Sequence, residues 1–208
     1  MKVYKIMRGT QLLKTYSKRL LILGMSAPSL LALKDYDRTY WTECWGLNEA
    51  YSLIPDTWLE ELNITRWFEV HRSKVLKNNE RVKDHAKFLN DLNVPIYTTR
   101  ELPDLKNQRI INKDAILFEL GWDWFQSTVS WMVGCALYEH KVYSNRAFNE
   151  ISIFGVDMIL TDEYKCQRPG LAHLLDVARK EYGIQITLPE NCGLLTRPEL
   201  YGFDQDEI

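Results

Sequence analysis

Glu69 and His71 are a pair whose types and spacing suit proton transfer. They flank Val70 at the end of a segment, residues 66–70, that reads as a strand. Alternation along a strand sends both side chains to the same side, and a carboxylate beside an imidazole is a base with its orienting partner. An exposed strand end is the plainer reading of the same residues. Asp157 follows Gly155 at the close of another apolar run, where a carboxylate can take backbone N–H groups or a sugar hydroxyl, or simply cap the next loop. Glu163, Tyr164, Gln167 and Arg168 come just after it. The Arg168 fork suits a phosphate or carboxylate, although such a cluster equally makes a salt-bridged helix start.

Phosphate recognition has two candidate segments. The first is LILGMSAPSLL: an apolar run over residues 20–23 halts at Gly24 and gives way to a Ser/Pro turn. A buried parallel strand delivers its carboxyl end to a loop in this way, and unpaired N–H groups at a helix start attract anions. Gly24, Ser26 and Ser29 are the candidate contacts, with Pro28 suited to a first helical turn. An ordinary strand-to-helix turn fits as well. The second segment is Ser127-Thr128, which opens a helical pattern. Ser127 serves there as an N-cap, an anion contact, or both. Trp122 and Trp124, just before it, are placed to stack on a base or sugar, whereas most of Trp41, Trp45 and Trp131 belongs to the core.

Alternating short strands and helices must position these residues. Strands are expected over residues 20–23, 45–47, 66–70, 95–97, 150–154 and 185–187. Helices are expected near 28–34, 57–62, 75–92, 128–139 and 170–182, with surface loops over 98–112 and 141–149. In the helix at 128–139, Val129, Met132, Val133, Ala136 and Leu137 make one buried stripe. The alternation predicts an α/β, Rossmann-like fold: a mainly parallel sheet with helices on both faces and ligands at the carboxyl ends of the strands.

Composition sets the outer limits. A chain of 208 residues, 46% hydrophobic, reads as one globular domain, 1–208. It divides into a basic arm (1–19), a nucleotide-binding-type core (20–190) and an acidic tail (191–208). The net charge of −2 argues against bulk electrostatic binding of nucleic acid. Four cysteines without a C-x-x-C pair suggest neither a zinc site nor a disulfide framework, and Cys135 reads as a core residue. The sequence shows no apolar run of membrane-spanning length and no secretory signal. A cytoplasmic protein without a membrane partner is expected; its oligomeric state is left open.

Six segments in order, ILGMSAPSL, WGLNEAY, WFEVH, FQSTVSWMVGCALYEH, ISIFGVDM and DEYKCQRP, resemble a group of bacteriophage and bacterial proteins of unassigned activity. That group is similar to the hydroxymethylpterin diphosphokinase-like family and, remotely, to bacterial sialyltransferases. Those relatives carry a G-x-G-P-S-L loop after the first strand, a Ser/Thr opening to a late helix, and a strand ending in G-[VI]-D. Here Ser26 or Ala27 replaces the second glycine, and the strand ends Gly155-Val156-Asp157. The resemblance implies a Rossmann-like fold holding a nucleotide or nucleotide sugar between the Gly24 loop and the Ser127 helix. Asn48 of WGLNEAY joins the binding candidates. It further implies metal-independent chemistry with a histidine as base, for which His71 is the candidate; no cofactor is implied.

Three readings follow. The first is glycosyltransferase-like chemistry on a nucleotide sugar, with Glu69, His71, Asp157 and Glu163 as catalytic candidates. The second is a DNA glycosylase or N-glycosidase that excises a modified base, such as a glucosylated one in phage DNA, using the basic arm on the backbone. The third is a nucleotide-binding or sequestering protein without turnover.

Overall fold

The computed structural model describes residues 18–72, 84–158, 162–190 and 192–195. Most of the basic arm and most of the acidic tail lie outside the described residues, as do the first part of the helix expected over 75–92 and the side chains of Glu163 and Tyr164.

One parallel sheet organises the chain. Its strands are β1 (Arg19–Leu23), β2 (Glu43–Leu47), β3 (Ile64–Phe68), β4 (Ile96–Thr98), β5 (Gln108–Ile110), β6 (Glu150–Phe154) and β7 (Gln185–Thr187), in the spatial order β5-β4-β3-β2-β1-β6-β7. Every pairing is parallel. The α/β, Rossmann-like expectation is met. The chain winds outward from β1 to β5, then returns to lay β6 against the other side of β1, with Leu20 opposite Ile151. The order therefore reverses between β1 and β6, the place where open α/β sheets gather their ligands.

Helices cover both faces. Among the described residues they are α1 (Ala27–Leu30), α2 (Asp56–Glu61), α3 (His85–Asp91), α4 (Lys113–Leu120), α5 (Thr128–Val142) and α6 (Asp162–Lys180). Alternation along β1 sends Leu20 and Ile22 into one apolar layer and Leu21 and Leu23 into the other. The first layer takes Met132, Val133 and Ala136 of α5 with Leu171, Leu174 and Leu175 of α6. The second takes Leu30, Leu33, Trp41, Leu62 and Leu89. Burial on both faces is why β1 reads as a continuous apolar run. The stripe expected on α5 is buried throughout, and Cys135 is a core residue whose thiol burial pushes up to about 12.

Several boundaries differ from the sequence reading. Residues 98–112 are not one loop: Gln108–Ile110 pairs with β4 as an edge strand. Helix α4 was not expected. Helix α5 runs on to Val142 and a 3-10 turn spans Ser144–Arg146, so 141–149 is partly helical. Helix α6 starts at Asp162 and carries Pro169 inside it. The helix expected over 28–34 is a single α-turn followed by the 3-10 segment Leu31–Asp35. Pro28 sits in its first turn. Strand β3 ends at Phe68, so Glu69 lies just past it, although its N–H still donates to the Tyr97 carbonyl at 2.9 Å.

Among the described residues no helix is long and apolar enough to cross a membrane.

Candidate functional site

Glu69 and His71 are brought together as the strand alternation suggested, but their roles separate. Glu69 is buried, and its Oε1 accepts from His71 Nδ1 at 2.8 Å and from the His71 backbone N–H at 3.0 Å. Its Oε2 faces His85 Nε2 at 2.9 Å, and His85 Nδ1 faces the Tyr51 hydroxyl at 3.0 Å. Burial pulls the Glu69 pKa upward, but the hydrogen bonds from His71 and His85 outweigh it and leave the carboxyl at about 2. Glu69 is thus an ionised orienting group, too weak a base for proton abstraction near neutrality.

An ionised Glu69 fixes the protons around it. Each imidazole nitrogen that faces it must donate, so His71 carries hydrogen on Nδ1 and His85 on Nε2. In neutral His85 the remaining nitrogen accepts from Tyr51, whose hydroxyl is pushed up to about 12 by burial and by the charges of Glu49 and Glu69. The basic nitrogen of His71 is then Nε2. The His71 side chain keeps 41% of its surface exposed, whereas His85 is buried.

A second constellation sits where the strand order reverses. Gly24 N donates to the Phe154 carbonyl and Ser26 N to the Gly155 carbonyl, each at 2.7 Å. Gly155 N donates to Ser29 Oγ at 3.0 Å, and Ser26 Oγ donates to Asp157 Oδ2. The loop after β1 is thereby laced to the end of β6. Two of the amides that the sequence reading offered to phosphate are spent on these carbonyls.

Buried polar atoms without partners mark the same edge. Among the described residues, Thr98 Oγ1 ends β4, Asn48 Oδ1 follows β2 and Asp157 Oδ1 follows β6. Buried polar groups are normally satisfied; Trp41 Nε1, Trp122 Nε1 and His140 Nδ1 are likewise without partners among the described residues. Asn48 is locked in place: it adopts φ 45, its N–H donates to the Phe68 carbonyl at 3.0 Å, and its carbonyl accepts from Trp67 Nε1 at 2.9 Å.

The remaining candidates cluster around α5 and α6. Ser127 caps α5, its Oγ accepting from Ser130 N at 3.1 Å, with Thr128 buried beside it. Residues 24–29 and 127–130 contribute Met25 and Val129 to one apolar layer. Arg168 Nε donates to the Leu194 carbonyl at 2.9 Å. Cys192 donates to the Val156 carbonyl at 3.0 Å; burial pushes its thiol up, aided by the charge of Asp157 and a side-chain hydrogen bond with it and opposed by the Arg168 charge. Gln167 is half-buried on the same helix. Trp122 lies against the His173 ring with centroids 4.0 Å apart, and the more exposed Trp124 stacks beside it.

Sequence reasoning missed His85, Tyr51 and Thr98. His85 comes from α3 and Tyr51 from the 3-10 turn Ala50–Leu53, so no local spacing links them to Glu69. Among the described residues no group of three or more histidine, cysteine or acidic side chains is arranged to hold a metal ion.

No family model matches the chain, and no curated protein or solved structure matches it.

Proposed function

We propose that this protein is a glycosyltransferase-like enzyme acting at the anomeric carbon of a nucleotide sugar, with His71 as general base and Glu69 as its orienting group. The observation that carries the reading is the hydrogen bond from His71 Nδ1 to the buried, ionised Glu69 at the carboxyl edge of the sheet. It turns the basic Nε2 away from Glu69 and stabilises the imidazolium formed when that nitrogen takes a proton.

In this reading an acceptor hydroxyl gives its proton to His71 Nε2 while its oxygen bonds to the anomeric carbon. The bond from that carbon to the phosphate oxygen breaks, and the nucleotide leaves with the electron pair. Arg168 and the N-terminus of α5 are the groups that would stabilise the departing negative charge. The unpartnered Thr98 Oγ1 at the end of β4 and Asn48 Oδ1 after β2 support a substrate lying across the strand ends.

The test is incubation with nucleotide sugars and, separately, with sugar-modified DNA. Release of free nucleotide in the first, lost in His71→Ala, supports transfer. Abasic sites in the second would replace it with base excision. Nucleotide binding without turnover in either assay would replace it with sequestration.

A further inference from the structure

Both bonds on Glu69 Oε1 come from His71, two residues further along the same loop. Bonds that close within three residues orient the two side chains to each other but not to the sheet. The Glu69 main chain is pinned by its N–H on the Tyr97 carbonyl, yet three side-chain torsions separate that point from the carboxylate. The tie from outside the loop is on Oε2, where His85 Nε2 of α3 lies 2.9 Å away. The Glu69 and His85 side chains are each 1% exposed, so this bond is shielded from water. His85 is itself held twice. Its Nδ1 faces the Tyr51 hydroxyl at 3.0 Å, and the Tyr51 ring lies nearly parallel to it with centroids 5.7 Å apart. Tyr51 packs in turn against Trp67 and Phe88.

Resting on the transferase reading above, we propose that His85 is a positioning residue for the general base. Its Nε2–H holds the Glu69 carboxylate in the rotamer that aligns His71, and the Tyr51 hydroxyl keeps the His85 hydrogen on that nitrogen. Tyr51, pushed up to about 12, stays a donor near neutrality, so Nδ1 of neutral His85 accepts and Nε2 carries the hydrogen. That hydrogen satisfies Oε2 and leaves Oε1 to His71, whose Nδ1 then donates and whose Nε2 keeps its lone pair. Without His85, Oε2 is a buried carboxylate oxygen lacking a donor, and turning toward the partly exposed His71 side rehydrates it. His71 meets the acceptor hydroxyl; His85 acts through Glu69.

Nitrogen-15 NMR of the histidine side chains and steady-state kinetics on the whole protein test this. In the unaltered protein, at a pH where both imidazoles are neutral, His71 should be the Nδ1–H form and His85 the Nε2–H form. His85 in the Nδ1–H form overturns the inference and needs no variant. His85→Leu should lower kcat tenfold or more with the donor KM within threefold, and should split the His71 signal between both tautomers. His85→Gln, whose amide can still donate to Oε2, should recover most of kcat and the single His71 form. Tyr51→Phe should lower kcat by a smaller factor. A His85→Leu protein that keeps the single His71 form, or a His85→Gln protein no better than His85→Leu, overturns the inference in favour of a packing role. Absence of turnover by the unaltered protein with every nucleotide sugar overturns the transferase reading instead, and the nitrogen signals still decide whether His85 positions His71.

Discussion

Gly24 and Gly155 meet backbone to backbone, just past the ends of the central strand β1 and its late partner β6. A Cβ on Gly24 would lie 2.2 Å from the Gly155 carbonyl oxygen, and one on Gly155 would lie 2.7 Å from the Gly24 carbonyl carbon. Gly155 also sits at φ 83, where other residues are strained. Gly24→Ala should cost about 3 kcal/mol or more, because the obstruction is backbone and cannot swing aside. Urea unfolding of the variant checks this; a midpoint within error of the parent would refute the close approach.

Glu69 links stability to acidity. Its carboxyl lies at about 2 in the folded protein against an ordinary value of 4.5, so the folded state holds the ionised form more tightly than the unfolded state does. That contribution is complete above the unfolded value and is lost as pH falls from about 4.5 toward 2. Its size is roughly 3 kcal/mol from the two values. Unfolding free energy measured between pH 7 and pH 3 should fall more steeply for the parent than for Glu69→Gln. Parallel curves would show that Glu69 carries no such linkage.

His71→Ala should separate chemistry from folding. The side chain is partly exposed and leaves the Glu69–His85 hydrogen bond intact, but Glu69 loses its other imidazole partner, so stability should fall by about 1–3 kcal/mol without loss of the fold. Nucleotide release from the sugar donor should fall at least a hundredfold. Full turnover in the variant would move the base to another residue.

Arg66 and Glu139 form a two-toothed pair at 2.7 and 2.8 Å, with Arg66 stacked over the Trp45 ring at 4.3 Å. Burial opposes the guanidinium charge, but the Glu139 hydrogen bonds and charge outweigh it and raise the Arg66 pKa. Glu139→Ala should cost about 3–5 kcal/mol by leaving that cation largely buried without its carboxylate partner. The double replacement Arg66→Met with Glu139→Leu should recover much of the loss. Thermal melts of the three proteins decide between pairing and simple loss of packing.

Ser127→Ala should destabilise by about 1 kcal/mol through loss of the α5 cap, with nucleotide affinity falling in addition if α5 also holds phosphate. Unfolding and calorimetry on the same variant separate the two roles.

Strands covered on both faces are legible in the sequence, since burial demands an unbroken apolar run; β1 and β6 are read almost to the residue. Edge strand β5 is not, because Gln108, Arg109 and Ile110 are partly or largely exposed and only the ladder to β4 defines them. Helix α4 escapes periodicity because Ile116 is buried while Phe118 is exposed, so its apolar residues mark no single face. Its end signals were present nonetheless: Asn112 caps it and Gly121 closes it at φ 62. At the site, the Glu69–His71 spacing was readable because it is local. The lowered pKa of Glu69 was not, since it depends in part on His85, which reaches Glu69 from another element.

The register of β1 against β6 sets a condition on synthesis of the protein. Ile151, the partner of Leu20, lies 131 residues further along the chain and so leaves the ribosome long after it. Until then one edge of the most apolar strand stays open, and the nascent chain carries a ready template for mispairing.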